Sequence, residues 1–399
     1  MGSLMNALSS VLLLIVVTRT LGAYMGGIFS LAFALGQQFQ SLGAFEVRPF
    51  QATDTSQKYS FGIYLSSRIF TCVLMVASLA AYSLYSNGLT TDALLLFCIA
   101  GLKVFDAFED VYHGLFQQHG RLDLAGKAFF LRSFLTFIGF SAGCLIAKSL
   151  FIACVVSILV SLISVVFLNI PKAHLFERNR PSLEWSRIIQ LLIACLPLFL
   201  ATFFANDILN VPRYGIEAWL SKDMQAIYAI IFMPAMVINL LVGFFFKPLL
   251  TSLAEKWNSG DIGAFGRTIS RGLLLAFAIT AVAALFAWPF GIPILELFYG
   301  VDLEGYQSCL MVILIGGCFN SLSVVLYYCL VTMRLQRLVV VGYGVACAVA
   351  HLLSGVLISS MGIMGAIVLY DASMLVVSGL FALFLSLVFC SAKKMFDSK

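Results

Sequence analysis

The residues able to do chemistry crowd into one apolar stretch: Lys103, Asp106, Glu109, Asp110, His113, Gln117 and Gln118. At about 100° per residue, Lys103, Asp106, Asp110, His113 and Gln117 fall within about an 80° arc, with Glu109 about 40° beyond it. Carboxyls and an imidazole on one helix face can carry protons or hold a cation, and an ammonium can meet an anion. Two readings stay open. The stripe is the wall of a water-filled vestibule with protonatable carboxylates, or it is a structural Lys103–Asp106 pair followed by a helix end among headgroups. Lys103–Asp106 and Asp106–Asp110 sit at helix-neighbour spacings. Arg132, one turn into the next apolar run, either answers Glu109 or Asp110 or snorkels to the interface.

A second cluster comprises Asn206, Asp207, Asn210, Pro212, Arg213, Tyr214 and Glu217. Pro212 is expected to interrupt a helix and free backbone carbonyls. Arg213 offers a bidentate donor to phosphate or carboxylate. Asn206 and Asn210, four residues apart, share a face. An ordinary outer loop is the alternative. Arg19, closing the first apolar run, is a weaker candidate whose alternative is an interfacial anchor.

Other chemistry is not signalled. All ten cysteines lie in apolar stretches, form no C-x-x-C and pair with no histidine at ligand spacing, so they read as small buried hydrophobes. His113, His119, His174 and His351 make no metal constellation. No phosphate-binding loop, H-E-x-x-H, G-x-S-x-G or ATP-binding motif occurs. The expectation is a non-enzyme with no metal and no cofactor.

Only a membrane can position such residues. The chain of 399 residues is 61% hydrophobic and 11% charged, and a soluble domain is nearer half apolar and a quarter charged. The apolar excess exceeds what a core of this size can hide. The net charge of +5 is spread over short loops rather than one face, which argues against nucleic acid. Spans of about twenty residues fall near 3–19, 24–45, 63–84, 92–114, 128–147, 150–170, 188–209, 224–246, 271–290, 308–331, 338–358 and 364–390. The first run lacks a basic start and a small-residue cleavage site, so it is expected to stay in the protein. With the N-terminus in the cytoplasm, inside segments carry 18 Lys and Arg and outside segments four, Arg19, Lys148, Arg213 and Lys222. This bias predicts cytoplasmic termini and an even number of spans.

Shifting the chain by 199 residues aligns Leu21, Met25, Ile28, Phe33, Leu42, Phe45, Pro49, Ser60, Ile63 and Arg68 with identical residues from Leu220 to Arg267. Arg48-Pro49 then meets Lys247-Pro248, and Phe29 meets Tyr228. The expected fold is all-α, about twelve transmembrane helices in two pseudo-symmetric six-helix lobes, 1–187 and 188–399. An even count per half makes them parallel repeats, a layout of alternating-access transporters. Gly22-x-x-x-Gly26 and Gly139-x-x-x-Gly143 read as close helix packing.

Several stretches resemble the polysaccharide-unit flippases (Wzx type) of the multidrug/oligosaccharidyl-lipid/polysaccharide exporter superfamily. They are Val17-Thr18-Arg19-Thr20-Leu21-Gly22, Gly27 to Ala34, Arg48-Pro49-Phe50-Gln51-Ala52-Thr53-Asp54, Lys58 to Leu65, Lys103 to Asp123 and Asn206-Asp207-Ile208-x-Asn210-x-Pro212-Arg213-Tyr214. Such proteins move undecaprenyl-pyrophosphate-linked oligosaccharide units from the cytoplasmic to the outer leaflet. Two lobes rock around a cavity, usually cationic, that is open to lipid. Most carry a longer basic stretch before the first span. The resemblance implies a bacterial inner-membrane protein, with polymerase and glycosyltransferases as partners. The diphosphate would meet Lys103, Arg132 or Arg213. Asp106, Glu109 and Asp110, with His113 on the same stripe, would couple to H+ or Na+. The glycan would use Asn206, Asn210, Tyr214 and Tyr327 or Tyr328. A drug–cation antiporter of the same superfamily and a membrane glycosyltransferase or polymerase are the rival readings. The latter usually needs a large outer loop, and none here exceeds about twenty residues on the span lengths used above.

Overall fold

A computed structural model describes residues 2–54, 58–178, 180–246 and 249–397. The chain is an all-helical, multi-pass membrane protein. Among the described residues, eight helices are long and apolar enough to cross a bilayer. Their outward faces are greasy: on the helix Ile262–Tyr299, Leu274, Phe277, Val282, Leu285, Phe286, Trp288 and Phe290 are all exposed. Backbone polar groups are satisfied within each helix, so lipid can cover these faces.

Two compact units divide the chain, Met1–Asn206 and Asp207–Lys399. The first contains α1 (Gly2–Leu21), α2 (Ala23–Ala44), α3 (Val47–Thr53), α4 (Phe61–Asn87), α5 (Thr91–Gly101), α6 (Lys103–Gln118), α7 (Leu122–Ile146), α8 (Leu150–Ser164), a π-helical turn (Val165–Asn169) and α9 (Ile170–Ala173). Then α10 (Trp185–Trp219) runs through the boundary. The second unit continues with α11 (Lys222–Phe246), α12 (Leu250–Asn258), α13 (Ile262–Tyr299), α14 (Gln307–Thr332) and α15 (Gln336–Asp397), which kinks at Gly362. The short α3 and α12 occupy the loops following α2 and α11. The Lys247-Pro248 match of the internal repeat lies outside the described residues.

Local chemistry sets the breaks. Gly22 adopts φ +89, open to glycine and strained for other residues, and separates α1 from α2. It is therefore a turn residue, not the packing contact expected of Gly22-x-x-x-Gly26. Gly143 does pack: a Cβ there would lie 2.8 Å from the Ala153 amide nitrogen, so α7 and α8 touch backbone to backbone. Side-chain caps start several helices. Thr90 Oγ1 accepts the Ala93 amide, Ser149 Oγ the Ile152 amide and Asp261 Oδ1 the Ala264 amide.

Three expectations change. The span at 92–114 is not one helix, because i→i−3 bonds from Leu102 to Ile99 and Phe105 to Leu102 tighten the backbone between α5 and α6. Pro212 does not interrupt its helix, which continues to Trp219. Membrane helices tolerate proline where neighbouring groups satisfy the freed carbonyl. The run expected as 271–290 extends over 262–299, through Pro289 and Pro293.

Candidate functional site

In the first unit the polar stripe of α6 divides between two sets of partners. On one side, Lys103 donates to Asp106 Oδ2 at 2.7 Å. Arg132, from α7, pairs through Nη2 with both Asp106 Oδ1 and Glu109 Oε1, the latter at 2.6 Å. The π turn after α8 aims Asn169 inward, and its amide donates to Glu109 Oε2 at 3.4 Å. All four charged residues are buried. Two cations face two carboxylates, so the cluster is electrically balanced and joins α6, α7 and the end of α8. A cavity of ≈ 50 Å³ beside it is lined by Phe33, Lys103, Asp106, Arg132 and Thr136 among others, with room for a few waters.

On the other side, Asp110 faces α3 and α4. Arg48 Nη1 donates to Oδ1 at 3.1 Å and Arg68 Nη2 to Oδ2 at 3.0 Å. Arg48 also reaches Gln117 Oε1 at 3.4 and 3.3 Å. Arg68 is wholly buried, and its other amino group donates to the Gly43 carbonyl at 2.6 Å. Both arginines are among the 18 Lys and Arg of the inside segments, although Arg68 stands seven residues inside an apolar helix. His113 is buried against Phe129, with Nε2 unpaired. Arg19 is exposed at the end of α1.

The second cluster lies on one helix but splits at the unit boundary. Asn206 belongs to the first unit, where its amide donates to Ser41 Oγ at 2.7 Å. In the second unit Glu217 pairs with Lys222. Arg213 is buried over the Phe232 ring, 5.4 Å from the centroid. Its Nη1 donates to Asn210 Oδ1 at 3.4 Å, and its buried Nε has no partner among the described residues. Tyr214 and Tyr228 flank it, and the Tyr228 hydroxyl is buried without a partner. Arg68, Lys103, Arg132 and Arg213 are the buried cations among the described residues, and Arg213 alone has no acidic partner within 4 Å. Tyr327 and Tyr328 pack against Tyr343 and Phe246 respectively.

Two features of the second unit escaped the sequence reading. Asp371 stands mid-span on α15 with Oδ1 buried and unpartnered, and a lone acid inside an apolar run was the available signal. Asp207, meanwhile, meets Cys347 and His351. The i, i+4 spacing of Cys347 and His351 was visible, but the acid comes from 140 residues away.

No family model matches the chain, and no curated protein matches its sequence. Solved structures do match. A multidrug resistance MATE family transporter of the MOP superfamily, inward-facing, aligns with TM-score 0.70 at 14% identity over 99% of this chain and 96% of that one. The lipid II flippase MurJ, in an inward closed conformation, aligns with TM-score 0.72 at 12% identity over 96% of this chain and 87% of that one. The chain shares the fold of these two solved structures. A MOP superfamily transporter from Pyrococcus furiosus, whose binding pocket is described as having reverse polarity, aligns with TM-score 0.58 at 14% identity over 98% and 94%. The MOP fold implies roughly twelve membrane helices. The eight long spans reach that number when α15 counts as two arms about Gly362 and α1, α2 and the α5–α6 pair each count as one. The solved neighbours are transporters rather than enzymes.

Proposed function

We propose that the chain is a flippase for undecaprenyl-diphosphate-linked oligosaccharide units, moving them to the outer leaflet of a bacterial inner membrane by ion-coupled alternating access. Twelve helices in two six-helix lobes, with cytoplasmic termini, would carry this out. The supporting observation is Arg213: a guanidinium buried in a membrane span with no acid beside it, only an amide oxygen and aromatic rings. A buried cation without a counter-ion is costly, and a diphosphate supplies the missing charge with bidentate geometry. Asn210, Tyr214 and the free Tyr228 hydroxyl are polar groups suited to the neighbouring sugar. Lys103 and Arg132 are weaker diphosphate ligands, because Asp106 and Glu109 already neutralise them. Those carboxylates, and Asp110, serve the coupling ion or the architecture.

One observation favours a second reading, exchange of a cationic drug for H+ or Na+. Asp371 has no basic side chain at ion-pair distance among the described residues, and its Oδ1 has no partner. Deletion and complementation separate the two. The flippase reading expects loss of a surface polysaccharide, rescue by wild type, and no rescue by Arg213→Gln at equal membrane abundance. Drug resistance that follows expression and depends on Asp371, with surface glycan intact, would select the antiporter instead.

A further inference from the structure

We propose that Asp207, Cys347 and His351 form a binding site for a divalent transition-metal cation of the zinc class. The site stands on residues of the second unit alone and is independent of the substrate assigned above.

The helices bring these groups together for stated reasons. Gly215 lets α10 approach α15 closely, since a Cβ there would lie 2.6 Å from Ser354 Oγ. About two turns earlier on α10 stands Asp207, and about one and two turns before Ser354 on α15 stand His351 and Cys347, on the same face of the helix. Asp207 Oδ2 lies 3.1 Å from Cys347 Sγ and 2.7 Å from His351 Nε2. One donor atom from each residue falls within 4.8 Å of the others. Tetrahedral zinc with ordinary bond lengths needs donor separations of about 3.3–3.6 Å. Movements of about 1 Å or less in side chains already pointing at one another would reach that geometry.

Donor chemistry selects the ion. A thiolate and an imidazole prefer zinc-class cations, whereas sodium, magnesium and calcium prefer all-oxygen shells. Charge selects it too. On binding, the Cys347 thiol gives its proton to solvent, His351 coordinates as neutral imidazole and Asp207 as carboxylate. A dication with two anionic ligands is then a neutral complex, the form cheapest to hold inside a membrane protein. The His351 side chain is 53% exposed and that of Asp207 13% exposed. Three protein ligands leave a fourth position for water. Among the described residues this is the only group of three or more histidine, cysteine or acidic ligands at metal-binding distances.

The test uses the full chain purified in lipid nanodiscs and titrated with Co2+, then with Zn2+. The site predicts one equivalent of Co2+ with a sulfur-to-cobalt charge-transfer band and tetrahedral d–d absorption. Zn2+ should displace it, and excess Na+ or Mg2+ should not. Zn2+ should also slow alkylation of Cys347, read by peptide mass spectrometry, at least tenfold. His351→Ala and Asp207→Asn should abolish that protection while eluting as monodisperse protein. Absence of a thiolate–cobalt band in wild type would leave only a hydrogen-bonded Asp–His–Cys triad and overturn the proposal, and so would protection that survives both substitutions.

Discussion

Each unit buries a cation over an aromatic ring, and the two units then treat that cation differently. Phe33 of α2 and Phe232 of α11 are related by the 199-residue shift. Lys103 Nζ sits 4.6 Å from the Phe33 centroid, and Arg213 Cζ 5.4 Å from that of Phe232. Even the supporting ring recurs, with Phe29 5.6 Å from Phe33 and Tyr228 5.8 Å from Phe232. Yet Lys103 is tied to Asp106 and, through it, to Arg132 and Glu109. Arg213 has an amide oxygen and no acid. One unit thus holds its cation in a closed charge network that joins helices, and the other holds its cation as an open charge. A closed network offers an incoming anion nothing without first breaking internal pairs. An open one gains a counter-ion on binding, which lowers its desolvation penalty.

Breaking the closed network gives the largest expected effect. Arg132→Met strands Glu109 in the interior and leaves Asp106 with Lys103 alone, at about 3–5 kcal/mol of stability, seen as a fall in melting midpoint and loss of monodisperse protein in detergent. Neutralising the whole set, with Lys103→Met, Asp106→Leu and Glu109→Leu added, should recover most of that loss. A stable single variant would show that the charges are not balanced against one another.

Asp110→Asn should do less. It leaves Arg48 with Gln117 and weakens one of two anchors on Arg68, while the Gly43 carbonyl remains. The expected loss is about 1–3 kcal/mol, read from the same melting curves. The exposed pair Arg121–Asp123, at 2.8 Å, supplies the lower bound. Asp123→Ala should leave both melting and expression unchanged, because water screens such pairs.

How far these features were legible in the sequence follows from distance along the chain. Lys103–Asp106 is an i, i+3 pair, and helical spacing alone brings the two together. Whether Arg132 met Glu109 or Asp110 depended on the rotation of α7 against α6, which no spacing encodes; it meets Glu109 and Asp106. The stripe on α6 also looked like one surface, whereas α3 and α4 capture Asp110 and α7 captures Glu109. Pro212 read as a break because the proline rule is local, and α10 runs through it to Trp219. Arg213 read as an outer-segment charge because helix length beyond Pro212 was not foreseen. Asp207 and His351 lie too far apart in sequence for any local pattern to join them.

The contrast between the two cations is tested most directly by binding. Purified wild type, Lys103→Gln and Arg213→Gln, each in nanodiscs, would be titrated with an undecaprenyl-diphosphate-linked oligosaccharide, with inorganic pyrophosphate as competitor. Wild type should bind and be competed, Lys103→Gln should keep its affinity within a few-fold, and Arg213→Gln should lose at least tenfold. Equal affinity in wild type and Arg213→Gln, or a loss confined to Lys103→Gln, would contradict the assignment of the open charge to the anion.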